Sequence, residues 1–350
     1  MPVSENRMVS LRSLNPKGSL KLIPSKDWCS GFFPGTLWLA GNLTNDKELL
    51  RSAAEFTGPL EVEKFNGKTH DMGFKMMSSF GQGYRQTRDS AYRNILIQSA
   101  KTLTKRFNEK VGALRSWDHS TDKWQFPVII DNMMNLELLF WASRQTGDPQ
   151  YYNIAVRHAE TTLANHFRAD YSSYHVVDYD TITGQVIKKN THQGYSDASA
   201  WARGQAWGLY GFTMCYRETG IVSFLYRAEK IANFILHHPN LPDDKIPYWD
   251  FDAPQSPLPP RDVSAATIIA SALYELAPNV PAQKAYYLQS AETILESLQK
   301  DYLSKPGTNK GFLLGHSTGS FPQNSEVDVP INYADYYYLE ALLRQRNSKK

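Results

Sequence analysis

Hydrophobic and polar positions along this chain alternate between two kinds of helix-length segment. In one kind, apolar residues recur at i, i+3, i+4 and i+7 with Lys, Arg and Glu between them, the pattern of a helix with one buried face. Five segments read this way: LTNDKELLRSAAEF from Leu43, QTRDSAYRNILIQSAKTL from Gln86, QTGDPQYYNIAVRHAETTL from Gln145, ETGIVSFLYRAEKIANFIL from Glu218 and NVPAQKAYYLQSAETILESL from Asn279. The first four open on a short turn with Thr, Gly or Asp, and the fifth has a modified turn. The segment before each turn is apolar or small nearly all round, as in NMMNLELLFWAS, SAWARGQAWGLYGFTMCY and SAATIIASALYEL. A helix without a solvent face belongs inside.

Six inner helices are expected, starting near Gly31, Asp71, Asp131, Asp197, Asp262 and Asn332. Inner and outer helices alternating in hairpins predict an all-α fold, an (α/α)6 barrel forming a single domain over residues 27–346. Residues 1–26, with Pro2, Pro16, Gly18 and Pro24, read as an irregular lead. The sixth outer helix should precede the first inner one, so either its position is open or an upstream helix is missing. Long loops run from Asn108 to Gln125 and from Phe167 to Ser196, the second alternating like a β-hairpin about Thr183–Gly184. Loops of that length in a compact domain usually serve a site. The stretch PQSPLPP from Pro254 reads as a stiff connector inside the domain.

Composition then removes whole classes of function. The 350 residues can bury an ample core without covalent staples, and no tract of 18 apolar residues reads as a membrane span. A net charge of +3 without a long basic block gives nucleic acid little to bind. Two cysteines, Cys29 and Cys215, make neither a disulfide framework nor a metal site. No HExxH, CxxC pair, GxSxG or phosphate-binding loop is present, so the expectation is acid/base chemistry with no cofactor and no metal. The high Tyr and Trp content hints weakly at stacking on sugar rings. MPVSENRMVS has no apolar signal core, which implies a cytoplasmic location, or a periplasmic one if an upstream segment carries a signal.

In a barrel of parallel inner helices the N-terminal ends share one rim. That rim would hold Trp28 and Gly31; His70 and Asp71; Asp131 and Asn132; Gln193, Asp197, Ser199, Trp201 and Arg203; Arg261, Asp262 and Ser264; and Tyr333 with Asp335. Converging helix N-termini favour an anionic substrate. Asp131 stands where the apolar run PVII turns into a helix, so it reads as an N-cap and as an acid whose pKa desolvation would raise. Asp71 and Asp131 can form a pair of the sort glycoside chemistry uses, one protonating and one orienting or assisting water. Asp197 and Asp262, each two before a Ser, read as N-caps. Arg203 could grip a carboxylate or pair with those aspartates. His70 and His175 are candidate substrate contacts whose alternative role is purely structural.

The phrases WCSGFFPGTLW, THDMGF, FPVIIDNMMNLELLFWAS, SSYHVVDYD, THQGYSDASAWARGQAWGLYGF, RDVSAA and YADYYYLEAL occur in order from Trp28 to Arg344. Together they resemble glycoside hydrolase family 88, the unsaturated glucuronyl hydrolases. The resemblance implies an (α/α)6 barrel that removes the 4,5-unsaturated uronic acid left at the non-reducing end of oligosaccharides by polysaccharide lyases. Its partner would be an unsaturated uronic-acid-terminated di- or oligosaccharide. It implies that Asp131 is the acid/base, that Asp71 contacts sugar hydroxyls, and that Trp28, Trp117, His175, Gln193, Arg203 and Trp207 bind the sugar. The implied reaction hydrates an enol ether, so carboxylate spacing says nothing of retention or inversion. GHSTGSFPQNSEVDVP is where members of the family differ in handling sulfated substrates. An unsaturated rhamnogalacturonyl hydrolase acting on pectin fragments, a sugar 2-epimerase and a non-catalytic sugar-binding barrel are the alternatives, the epimerase requiring histidine pairs at the rim.

Overall fold

The two periodicities become helical hairpins in the computed structural model, which describes residues 8–15 and 17–349. The chain divides into two compact units. Unit 1 takes the residues up to Arg12, Lys21–Asn165 and Val177–Lys188; unit 2 takes Ser13–Leu20, His166–Val176 and the chain from Lys189 onward. Strands β1 (Met8–Leu14) and β2 (Leu20–Pro24) pair in a two-stranded sheet. The lead expected to be irregular is therefore ordered over these strands, because Met8–Leu14 can exchange backbone hydrogen bonds with a neighbour where Pro and Gly forbid a helix. Residues 1–7 of that lead, and Pro16, lie outside the described residues.

In unit 1, α1 (Phe32–Thr44) packs on α2 (Lys47–Thr57), and α3 (Met72–Met76) runs through a π-helical turn, Met77–Gly81, into α4 (Gln82–Thr87). Then follow α5 (Ser90–Thr104), a short ribbon of β3 (Phe107–Asn108) and β4 (Ala113–Leu114), β5 (Pro127–Ile129), α6 (Leu136–Thr146) and α7 (Pro149–Asn165). The turns are chemically specified. Asp46 caps α2 by accepting from the Glu48 and Leu49 amides, and Asp89 caps α5 by accepting from the Ala91 amide. Gly147 ends α6 at φ +76°, a left-handed conformation that costs glycine little. Strands β6 (Val176–Tyr179) and β7 (Val186–Asn190) join β5 in the order β5-β6-β7, so the expected hairpin is present.

Unit 2 is built on α8 (Ala202–Thr219), α9 (Val222–Leu236), α10 (Val263–Leu276), α11 (Lys284–Ser297) and α12 (Asn332–Ser348). The inner helices are α8, α10 and α12: α8 is buried from Ala202 to Cys215 and α10 over nearly its whole length. Between them Glu340 accepts from Tyr210 Oη at 3.1 Å and Ser271 Oγ at 2.6 Å, so the carboxylate has hydrogen-bond donors where it lacks water. Helices α9 and α11 are the outer partners of α8 and α10. The loop carrying PQSPLPP lies inside unit 2.

Two expected starts move. A 3-10 helix spans Ile130–Asn135 and α6 begins only at Leu136, while α8 begins at Ala202 and not at Asp197.

Candidate active site

In unit 1, Asp71 is the residue before α3, yet its carboxylate does not cap the helix. It accepts instead from Thr69 Oγ1 at 2.5 Å, and its other oxygen lies 3.2 Å from His70 Nε2. Thr69 Oγ1 in turn accepts from the Asp71 amide at 3.1 Å, closing a local turn that fixes the carboxylate's direction. His70 is buried. Burial drives its pKa down, opposed by the Asp71 charge and by a polar contact from Asn132, so the imidazole is neutral near pH 7.

Asp131 is the second residue of the 3-10 helix, whose N-cap is Ile129. The cap role expected from sequence is therefore not the one it has. Its side chain is 8% exposed, within an apolar run that includes the fully buried Val128, Ile130 and Met133. The flanks of Asp71 touch the residues that follow Asp131. Asn132, the residue after Asp131, lies against His70, the residue before Asp71. After both acids, Asn135 Oδ1 accepts from the Phe74 amide at 2.9 Å, and a Cβ at Gly73 would lie 2.5 Å from Asn135 Cα. Only glycine allows that approach. The segment of Asp71 is thus tied, on either side of that residue, to the stretch that follows Asp131.

The segment before β5 completes this half. Ser116 O accepts from the His70 amide at 3.2 Å, Ser116 Oγ accepts from the Ile129 amide at 2.9 Å, and Asn132 Nδ2 donates to Leu114 O at 2.8 Å. Trp117 follows, stacked on His119 with ring centroids 5.2 Å apart and edge-on to Trp124. Arg106 anchors the loop by bonding both oxygens of Asp118 at 3.0 Å. Trp28 is half-buried, edge-on to Phe74 at 5.3 Å, with the Arg12 guanidinium 5.9 Å from its ring. A Cβ at Gly31 would fall 2.1 Å from Lys75 O, so the start of α1 is seated directly on α3.

Unit 2 holds the other sequence-selected residues. Arg203, 1% exposed, donates to Asp262 Oδ2 at 2.7 Å, to Thr318 O at 2.6 Å and to Gly319 O. Its guanidinium lies 4.6 Å from the centroid of Trp201 and 5.5 Å from that of Tyr333. Asp262 caps α10 through the Ser264 amide, as expected, and also pairs with Arg203. Gln193 Nε2 donates to Gly319 O at 3.1 Å, so Arg203 and Gln193 meet at one carbonyl. His175 Nδ1 accepts from the His192 and Gln193 amides, both at 3.1 Å, which places the proton of the neutral ring on Nε2. Trp207 is fully buried, edge-on to Tyr337 at 5.5 Å. Asp197 accepts from the Thr191 amide at 2.7 Å and caps no helix. Asp335 accepts from the Leu313 and Leu314 amides. Burial outweighs those bonds and raises its pKa to about 7.

Sequence reasoning did not single out Thr69, Asn135, Thr318 or Gly319. A Thr two residues before an Asp is a local signal that could have found Thr69. The others meet their partners only through the fold. Among the described residues no group of three or more His, Cys, Asp and Glu is placed to hold a metal ion, and no helix is long and apolar enough to cross a membrane.

The chain is 51% identical over 348 residues, 99% of its length and 86% of the relative's, to an unsaturated glucuronyl hydrolase of Formosa agariphila. It superposes with a TM-score of 0.95 and 51% identity on the crystal structure of an unsaturated glucuronyl hydrolase specific for heparin, covering 99% of this chain and 93% of that one. A variant of the Streptococcus agalactiae enzyme in complex with dGlcA-GalNAc6S matches with a TM-score of 0.80 and 31% identity, covering 98% of this chain and 86% of that one. The fold class is the all-α, α/α-barrel class expected from the helical pattern. The sequence profile of Glycosyl Hydrolase Family 88 matches residues 12–337, and with these relatives it establishes that the chain belongs to that family.

Proposed function

We propose that this hydrolase removes the 4,5-unsaturated uronic acid from the non-reducing end of glycosaminoglycan fragments made by lyases. Asp131 is the proposed acid/base. It delivers a proton to C4 of the enol ether and helps water to C5, so that H and OH add across the double bond. The hemiketal then opens and the remaining saccharide leaves as an alcohol. Asp71 is proposed to contact the sugar hydroxyls and hold the geometry. The observation that supports the reading is the tie between the segments of the two aspartates, in which the Phe74 amide donates to Asn135 and Gly73 lies against Asn135. An acid and its orienting partner need fixed mutual geometry more than they need proximity to a cofactor.

Trp28, Trp117, His70, His175, Gln193, Arg203 and Trp207 are proposed as substrate-binding residues, on the strength of the family's motifs and the hydrogen bonding described above. The neutral His70 and the fixed tautomer of His175 suit hydrogen bonding to sugar hydroxyls better than charge pairing. One relative at 51% identity is specific for heparin, which puts heparin-derived unsaturated disaccharides first among the substrates to assay, followed by chondroitin-derived ones. Turnover destroys the conjugated enol ether, so its ultraviolet absorbance should fall with time. A folded protein that left the absorbance of every unsaturated uronide unchanged would remove this reading.

A further inference from the structure

Outside the residues already discussed, unit 1 contains a cavity of about 450 Å³ with an acidic floor and a basic, aromatic rim. Its lining includes Ser25 and Lys26 from the segment leading into α1, and Val62, Glu63, Phe65 and Lys68 from the segment leading into α3. The volume is in the range of small-ligand sites. Phe65 is 66% exposed and Val62 44%, both of them large apolar side chains held in water. Lys64, which pairs with Glu61 at 2.6 Å, has its ammonium 5.3 Å from the Phe65 ring. Lys68 and Lys26 are exposed at the rim.

The floor is built rigidly. Glu63 is 5% exposed and takes Ser25 Oγ, Asn66 Nδ2 and Lys75 Nζ, each at 2.7 Å. Burial alone would raise its pKa, but the Lys75 ammonium and these donors hold it below the ordinary carboxylate range. Glu63 is therefore ionised yet neutralised from within by Lys75, and it ties both walls of the cavity together. Lys68 is held differently. It is fixed through its backbone, whose amide donates to Asn66 Oδ1 at 3.1 Å, and its exposed side chain forms no ion pair among the described residues. An exposed aromatic ring and the Lys68 cation lining one cavity suit an anion carried on an apolar face.

Position supplies the ligand. Lys26 lies two residues before Trp28, and Lys68 three before Asp71, so their Cα atoms are at most about 8 Å and about 11 Å from those of the candidate site residues. We propose that this cavity is a subsite for a further sugar unit of the same glycosaminoglycan chain, with Phe65 and Val62 under the ring and Lys68 on its sulfate or carboxylate. The proposal rests on the hydrolase reading above and extends it from disaccharides to longer fragments.

The test compares unsaturated di- and tetrasaccharides of one sulfated glycosaminoglycan on the wild type, Lys68→Ala and Phe65→Ala. Each variant should raise KM for the tetrasaccharide about fivefold, the worth of one partly screened charged or stacking contact, with disaccharide parameters unchanged. The Lys68→Ala effect should shrink at about 0.5 M salt, where the Debye length is a few ångströms. An unchanged tetrasaccharide KM overturns the subsite, as does an equal loss on both substrates, which would mean that Thr69 to Asp71 had been displaced. Inactivity of the wild type on both substrates would remove the hydrolase reading instead. Calorimetric binding of a heparin tetrasaccharide to the wild type and to Lys68→Ala then decides the subsite by itself: fivefold weaker binding in the variant supports it and equal binding rejects it.

Discussion

Arg203 Nη1 donates to Asp262 Oδ2 across 2.7 Å, with both side chains buried, and the same arginine holds the carbonyls of Thr318 and Gly319. One aspartate thus caps α10 and fixes the guanidinium to which the 316–320 loop is tied. Removing Asp262 leaves a buried cation without its countercharge. Asp262→Ala should cost about 3–5 kcal/mol of stability, the range for breaking a buried pair from one side. Asp262→Asn keeps an acceptor for the cap and should cost less. Urea unfolding of both variants checks this, and equal, small losses would show that the pair contributes little.

Asp131→Asn should lower kcat by roughly 100- to 10,000-fold, the usual worth of a positioned general acid, while substrate still binds. Measuring Kd for an unsaturated disaccharide alongside kcat separates the two. A near-normal kcat would leave Asp131 a structural residue of the 3-10 helix.

Gly73→Ala places a methyl group 2.5 Å from Asn135 Cα, and the helix start must move. Overpacking of this kind costs about 1–3 kcal/mol. Because Asp71 lies two residues away, a displacement of about 1 Å should also reduce kcat by about 100-fold. Thermal unfolding and kcat should fall together. A loss of stability with kcat intact would argue that α3 does not set the acid's geometry.

The buried pair of Lys75 and Glu63, 2.7 Å apart, provides a separate stability test. Lys75→Met should destabilise by about 3–5 kcal/mol by leaving Glu63 buried and unpaired, and adding Glu63→Gln should recover part of that loss. A double-mutant cycle measures the coupling. Strictly additive losses would contradict a direct pair.

Two buried groups should bend the pH dependence of stability in opposite directions. Burial, and next the charge of Lys189, lowers the pKa of His166 from 6.5 to about 3. The unfolded chain therefore binds more protons between those values, and the contribution of His166 to stability is lost as pH falls through that window. Asp335 is raised to about 7, so the folded chain holds the extra proton and stability is lost as pH rises from about 3.8 to 7. His166→Phe should flatten the rise in urea midpoint between about pH 4 and 6.5, and Asp335→Asn should steepen it. Parallel curves for the wild type and both variants would contradict this.

What the sequence determined by itself follows from local rules. Apolar spacing separated outer helices such as α5 and α7 from inner ones such as α8 and α10, because burial on one face or all round is written in consecutive residues. Of the aspartates that read as caps, Asp262 caps α10, as short-range hydrogen bonding requires, whereas Asp131 and Asp197 do not cap helices. The phrases around Asp71 and Asp131 are specific enough to offer the two as a candidate carboxylate pair, but the Phe74–Asn135 hydrogen bond that ties their segments leaves no local sign. Tertiary structure decided the rest. It put Asp131 inside a 3-10 helix and started α6 at Leu136, gave Asp197 a loop amide, and ordered β1 and β2 within the lead. It also joined Arg203 to Asp262 and Gly73 to Asn135, residues 59 and 62 positions apart. Such pairs leave no mark in local periodicity. They are selected by the energy of burying charge and backbone only when partners arrive from distant parts of the chain.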